Sequence, residues 1–220
     1  MKTILVTASA AVAAAAMAAP AAAEAGDVHV RLRGILVAPT ESSGDVLPAF
    51  PGERVSVDNS FMPEVDVTYF VTDHVSLELI AATTKHTASG ITGTTGGIGP
   101  LASTWVLPPT LTVQYRPIAT GRVRPYVGAG VNYTLFYSEN ASSALEAAVG
   151  QTRVRLSDSF GVAAQAGVDI DLTDKIFLNL DVKWVDMDTT ARLRTTAIGD
   201  QRVRVSLDPF IFGAGLGFRF

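Results

Sequence analysis

The chain has 220 residues, a formal net charge of −4, 48% hydrophobic residues and no cysteine. That length is one domain behind a short leader, and the missing thiol excludes disulfides and a lipid-modified cysteine. A mildly acidic chain with scattered basic residues argues against nucleic acid as a partner, and beyond the leader no segment reaches the roughly 18 consecutive apolar residues of a membrane-spanning helix.

The leader reads Met1-Lys2-Thr3, an alanine-dominated apolar run from Ile4 to Ala19, then Pro20-Ala-Ala-Ala-Glu24-Ala-Gly26. One early positive charge, a short apolar stretch and an A-x-A site describe a secretory signal peptide over residues 1–23, with cleavage after Ala23 or Ala25 fitting equally well. A retained membrane anchor is the alternative, opposed by the weak hydrophobicity of alanine and the shortness of the run.

From Val28 onwards apolar and polar residues alternate, and a period of two puts successive side chains on opposite faces of a strand. The first such segment, 28–38, sets Val28, Val30, Leu32 and Leu36 against His29, Arg31, Arg33, Ile35 and Val37. A second covers 61–71, and a third follows the turn Thr72-Asp73-His74 over 75–82. The fourth, 105–116, sets Leu107, Leu111, Val113 and Tyr115 against Pro108, Thr110, Thr112, Gln114 and Arg116. The fifth, Pro125 to Tyr137, is the most regular: Val127, Ala129, Val131, Tyr133 and Leu135 face one way, Tyr126, Gly128, Gly130, Asn132, Thr134 and Phe136 the other. A sixth (160–171) and a seventh (176–185) flank the turn Thr173-Asp174, and the eighth ends the chain at Phe220.

Connections are short at 72–74, 117–124 and 173–174 and long in the other four, 39–60, 138–157 and 186–202 among them. Short turns alternating with long loops are the pattern of an all-β, eight-stranded antiparallel transmembrane β-barrel of the outer-membrane type, with both chain ends in the periplasm. Closure removes the unpaired strand edges that lipid forbids. A soluble β-sandwich is the competing reading. The run Gly90-Ile-Thr-Gly-Thr-Thr-Gly-Gly-Ile-Gly99 lacks the Lys-Ser/Thr of a phosphate-binding loop and reads as a flexible surface loop, and Ser143 with Glu146 has the spacing of a helix capping box.

Charged residues within the strands fall on the less apolar phase: Arg31, Arg33, Arg116, Lys183 and Arg219 against Glu64, Asp66, Glu78, Asp169, Asp171 and Asp181. A charge facing lipid at mid-depth costs about 2–4 kcal/mol, so these belong in the lumen. Strand direction places most of them, with Gln114, towards the periplasm as a polar floor. Ile35, Val37, Pro108, Thr110, Asn132, Phe136 and Leu207 line the lumen above it. A cup of this kind suits small hydrophobic solutes, and Pro63, Pro108, Pro109 and Pro209, each lacking a ladder donor, mark seams through which a solute could leave sideways into lipid. In the eighth strand Val203, Val205 and Leu207 fall out of phase with Phe210 and Phe212. Either the strand bulges near Pro209 or its outer extension lines the channel mouth with Leu207 as a gate.

Trp105 with Leu107-Pro-Pro-Thr-Leu111, Gln114-Tyr115, Pro125-Tyr-Val-Gly-Ala-Gly-Val-Asn-Tyr133, Asp174-Lys-Ile-Phe-Leu-Asn-Leu-Asp-Val-Lys-Trp184 and the terminal Gly-Phe-Arg-Phe220 together resemble the OmpW family of Gram-negative outer-membrane proteins, over nearly the whole chain after the leader. The resemblance implies a narrow hydrophobic channel closed towards the periplasm, lateral release of small hydrophobic molecules, and insertion through the barrel-assembly machinery guided by the terminal aromatic Phe220. It carries no ligand over residue by residue, and Tyr126, Asn132, Phe136, Thr110 and Gln114 stand only as candidates.

No cofactor motif is present, and an enzyme is not expected: His86 with Ser89 is the one conceivable base and nucleophile, without an evident orienting acid. A structural or adhesive surface barrel is the other reading. The long loops, carrying little aromatic or patterned charge, argue against it.

Overall fold

The computed structural model describes residues 24–220, so the expected signal peptide lies outside the described residues. In chain order the strands and helices are β1 (Val28–Ala38), β2 (Ser42–Ser43), β3 (Val55–Val57), β4 (Ser60–Phe70), β5 (Val75–Ala82), β6 (Thr84–Gly90), α1 (Gly93–Ile98), β7 (Pro100–Leu107), β8 (Thr110–Tyr115), β9 (Val123–Ala141), α2 (Ser143–Val149), β10 (Thr152–Leu156), β11 (Ser159–Asp171), β12 (Ile176–Val185), β13 (Asp188–Thr195), β14 (Gly199–Ser206) and β15 (Phe210–Arg219). Strands β1, β4, β5, β8, β9, β11, β12 and β15 pair antiparallel in that order, and β15 returns to β1 to close the ring. Every pairing follows the alternation in the sequence. Val30, Leu32 and Leu36 of β1 turn outward while His29, Arg31, Arg33, Ile35 and Val37 are buried inside.

Outward residues form a continuous apolar belt. Leu32, Val65, Leu79, Leu111, Val113, Val127 and Val162 are about half exposed, far more apolar surface than a soluble chain presents. Aromatics rim the belt at both ends: Tyr69, Tyr115, Phe218 and Phe220 beside the short turns, and Phe61, Tyr133, Phe160, Phe210 and Phe212 on the opposite side. Such girdles sit at the two membrane interfaces.

Two of the four long connections that read as loops are mainly strand. β6–β7 continue β5–β8 in the same register, from Ile80↔Thr110 to Thr84↔Val106, and β13–β14 continue β12–β15, from Trp184↔Phe210 to Asp188↔Ser206. The phase also runs through strand eight, because Leu207 and Ile211 are both buried while Phe210 and Phe212 face out. The outer extension therefore lines the mouth. The glycine run is no flexible loop: it holds α1, where Glu53 accepts the N–H groups of Thr94 (2.8 Å) and Thr95 (2.7 Å). Those N–H groups, Thr95's first, hold the Glu53 carboxyl below its ordinary range. In α2 the cap is Ser142 rather than Ser143, its hydroxyl accepting from Leu145 N–H at 3.0 Å, and Glu146 turns instead to Thr152 N–H. At the periplasmic end β9 begins at Val123, so Arg124 lies in the strand and faces inward rather than sitting in a turn.

Candidate functional site

The outer half of the lumen and the strand extensions above it enclose one apolar cavity. Its space, open mouth included, is about 1300 Å3, walled by Ile35, Val37, Ile80, Ala82, Val106, Phe136, Leu207 and Ile211 and, higher up, by Val154, Leu193, Val203 and Val205. Glu64, Lys183 and Thr110 lie at its inner limit. Burial of a solute's apolar surface there is worth about 25 cal/mol per Å2.

Below Glu64 and Lys183 the lumen is filled by side chains, as an eight-stranded barrel allows. Buried charges number six cations (Arg31, Arg33, Arg116, Arg124, Lys183, Arg219) and six anions (Glu64, Asp66, Glu78, Asp169, Asp171, Asp181) among the described residues. The sequence reading missed Arg124, which supplies the sixth positive charge. Arg31 Nε donates to Asp66 Oδ1 at 2.6 Å, Arg31 also pairs with Glu78, and Arg33 Nη2 lies 2.5 Å from Glu64 and 3.0 Å from Asp66. Deeper, Arg116 Nη2 donates to Asp169 Oδ2 at 3.0 Å. Asp171 closes the base between Arg124, at 2.6 Å, and Arg219. A buried charge stripped of its partner costs several kcal/mol, so exact neutrality is what a dry floor demands.

Neutral groups tie the layers together. Tyr126 Oη donates to Asp181 Oδ2 at 2.9 Å and accepts from Asn179 Nδ2 at 3.0 Å. Arg116 lies over Phe70 at 4.5 Å and over Tyr126 at 5.0 Å, within cation–π range. Gly167 makes room for this ring, since a Cβ there would sit 2.4 Å from Tyr126 Cζ. Gly128 does the same for Gln165, whose amide donates to Glu78 at 2.6 Å.

The wall is not uniformly laddered. Between Ile80↔Thr110 and Thr84↔Val106, the segment Ala81–Thr83 has no ladder partner across Leu107–Pro109. On its other flank β4–β5 pairing stops at Glu64↔Ala82, and backbone contact returns only where Asp58 N–H donates to Thr87 O at 3.2 Å. Pro63, Pro108 and Pro109 border this unladdered window, and Ile80, Ala82, Thr84 and Pro108 around it face the cavity. The seam at Pro209 is different. It is stitched by Val185 N–H to Pro209 O (3.2 Å), Leu207 N–H to Met187 O (2.8 Å) and Thr40 N–H to Leu207 O (2.9 Å).

A family model described as OmpW family matches residues 24–220. The chain belongs to the OmpW family. Outer membrane protein W of Escherichia coli is 36% identical over 217 residues, covering 98% of this chain and 99% of that protein. The crystal structure of OprG from Pseudomonas aeruginosa superposes with a TM-score of 0.85 at 31% identity, covering 91% of this chain and 99% of that one. Outer membrane protein AlkL of Ectopseudomonas oleovorans is 26% identical over 176 residues, 78% of this chain and 71% of that protein. This OmpW-family barrel is accordingly an outer-membrane protein of a Gram-negative bacterium.

Within the OmpW-family barrel the sequence-derived positions separate into two sets. Ile35, Val37, Pro108, Thr110, Phe136 and Leu207 all border the cavity. Asn132 does not. Its amide is spent on Thr110 Oγ1 (2.8 Å), Pro108 O (3.2 Å) and Pro109 O (3.3 Å), closing the far side of the double-proline break. Of the floor set, Arg31, Arg33, Asp66, Glu78, Arg116, Asp169, Asp171, Asp181 and Arg219 lie in the charge network, Gln114 accepts from Arg116 and Ser76, and Lys183 borders the cavity. Tyr126, weighed as a channel candidate, belongs to the floor. His86 engages Asp58 O at 2.9 Å and Thr84 Oγ1 at 3.0 Å, so neither ring nitrogen is spent on Ser89. The cavity walls from β10 and β13 escaped the sequence reading, which weighs only Val203, Val205 and Leu207 as an extension lining the mouth. The continuing alternation Thr189, Ala191, Leu193 against Thr190, Arg192, Arg194 was the signal that could have found them.

Proposed function

We propose that this barrel is a passive conduit by which small hydrophobic molecules enter from outside, pass down the apolar cavity, and leave sideways into the bilayer through the window bordered by Pro63, Thr83, Pro108 and Pro109. One observation carries the reading: the apolar cavity ends blind on a neutral, hydrogen-bonded floor, and its wall lacks ladder pairing at Ala81–Thr83. A charged or strongly polar solute gains nothing from the apolar walls and meets no aqueous path below them. Thr110 and Lys183 stand at the turning point, with Leu207 at the mouth. Residues 1–23 act as the export signal and Phe220 as the assembly signal in the same proposal.

The test is flux of a hydrophobic fluorophore into liposomes holding the full barrel. Leu207→Trp and Phe136→Trp narrow the cavity, and each is expected to reduce flux several-fold while the barrel keeps its folded migration in gels. A disulfide between Met62→Cys and Thr84→Cys is expected to reduce flux until reduced. Unchanged flux in the cavity variants sinks the conduit; unchanged flux in the oxidised pair alone sinks the lateral exit.

A further inference from the structure

Above the bilayer, the sheet built from β10, β13, β14 and β2 has two chemically opposite faces. Its inner face supplies Val154, Leu193 and Val203 to the cavity. Its outer face carries Arg153, Arg155, Arg192, Arg194, Arg202 and Arg204, all exposed. The expectation that the outer segments lack patterned charge is therefore overturned.

The register stacks five of these arginines against one another, while Arg204 faces Thr190. Arg153 faces Arg194, Arg155 faces Arg192, and Arg192 in turn faces Arg202. Arg155, Arg192 and Arg202 thus form a row across three strands, spaced about 5 Å at the backbone. Like charges directly opposite are destabilising in an antiparallel pair. Compensation on this face is sparse: Asp200 lies 3.8 Å from Arg194, Glu139 lies 3.3 Å from Arg155, and Asp188 sits at the membrane-proximal end of β13. In a chain of net charge −4, six of the 17 basic residues gather here. Arg192, Arg194 and Arg202 also border a shallow depression whose apolar lip is Leu47 and Pro48.

Position says what the face meets. Because β13–β14 continue β12–β15 in register, Arg192↔Arg202 stand on the same outward face as Trp184↔Phe210 of the upper aromatic girdle. At the rise of a strand and the tilt of a barrel they lie about 15–20 Å above it. The arginines point sideways, above the roughly 5–8 Å headgroup layer of an ordinary phospholipid and at the height that a headgroup extended by sugars reaches.

We propose that this arginine face binds the phosphorylated sugar headgroups of the glycolipid surrounding the barrel in the outer leaflet. Guanidinium groups grip phosphate oxygens through paired N–H donors, and a row of them matches a headgroup bearing several phosphates. The bound anions relieve the repulsion that the bare sheet carries.

The full barrel in nanodiscs is titrated with phosphorylated outer-leaflet glycolipid, with the same glycolipid after phosphate removal, and with a soluble heparin oligosaccharide. The triple variant Arg155→Gln, Arg192→Gln, Arg202→Gln is expected to bind the phosphorylated glycolipid at least tenfold more weakly than wild type and with a shallower salt dependence. Folded migration in gels and hydrophobic-probe flux stay unchanged. Equal binding by the variant, equal binding of the phosphate-free glycolipid, or tighter arginine-dependent binding of the heparin oligosaccharide each overturns the proposal. If the triple variant does not fold, Arg153→Gln with Arg194→Gln replaces it: weakening of threefold or more supports the face, and none overturns it.

Discussion

The floor of the lumen and the outer face of the extracellular sheet are built from the same residue type and obey opposite rules. Inside, six cations meet six anions, and each cation stands within 3.6 Å of a carboxylate. Outside, five of six arginines face another arginine across strands, with few counter-charges. The difference is one of dielectric. A buried charge must be matched by its own chain because nothing else will solvate it. An exposed one is screened by water and salt, so its surplus is free to serve a partner. Dense pairing in the floor therefore speaks for architecture, and missing pairing on the sheet speaks for recognition.

Removing one member from each region breaks the comparison most directly. Arg31→Met takes the nearest cation from both Asp66 and Glu78, leaving the two carboxylates to share Arg33, and is expected to cost about 3–5 kcal/mol in a urea titration of the lipid-embedded barrel. A loss below about 1 kcal/mol would mean that water reaches the floor and that the two regions are alike. Tyr126→Phe deletes a hydroxyl bonded to Asp181 and Asn179 while keeping the ring under Arg116, and about 1–3 kcal/mol should be lost in the same titration.

On the outer sheet the sign should reverse. Arg192→Gln with Arg202→Gln, measured in detergent without glycolipid, is expected to leave stability unchanged or raise it by about 0.2–1 kcal/mol, since it removes a like-charge pair. Destabilisation beyond that range would assign these arginines a structural role. The smallest effect is at Glu53, outside both regions. Its carboxyl titrates below the ordinary range, so its hold on α1 is fully present above the ordinary value of 4.5 and fades as the pH falls through the lower folded value. Glu53→Gln should speed hydrogen exchange at Thr94 and Thr95 while global unfolding stays put. Unchanged exchange would remove Glu53 as the cap of that helix.

Much of the barrel was legible from a period of two. The alternation from Val127 to Phe136 assigns lipid and lumen faces residue by residue, and it places Arg31 and Asp66 inside without any tertiary information. Above the membrane the same alternation persists in Ala191, Leu193 and Val203 against Arg192, Arg194 and Arg202. It was obscured because turn-forming Asp208 and Pro209 interrupt the ladder and because charged outward residues resemble loop. Asn132 shows the limit of phase. It faces inward as expected, yet which inward groups it meets depends on how the double proline displaces its neighbour's carbonyls.

The amino-acid sequence by itself determined the strand count, the outward belt, the inward charges and the family, because those follow from side-chain period and from the cost of charge in lipid. Only the tertiary structure decided that Arg124 completes a neutral floor, that the window opens at Ala81–Thr83 rather than at Pro209, and that six arginines share one face, five of them opposite another arginine. Each of those depends on which strands lie side by side and in what register, and pairing between distant segments is set by closure of the whole ring.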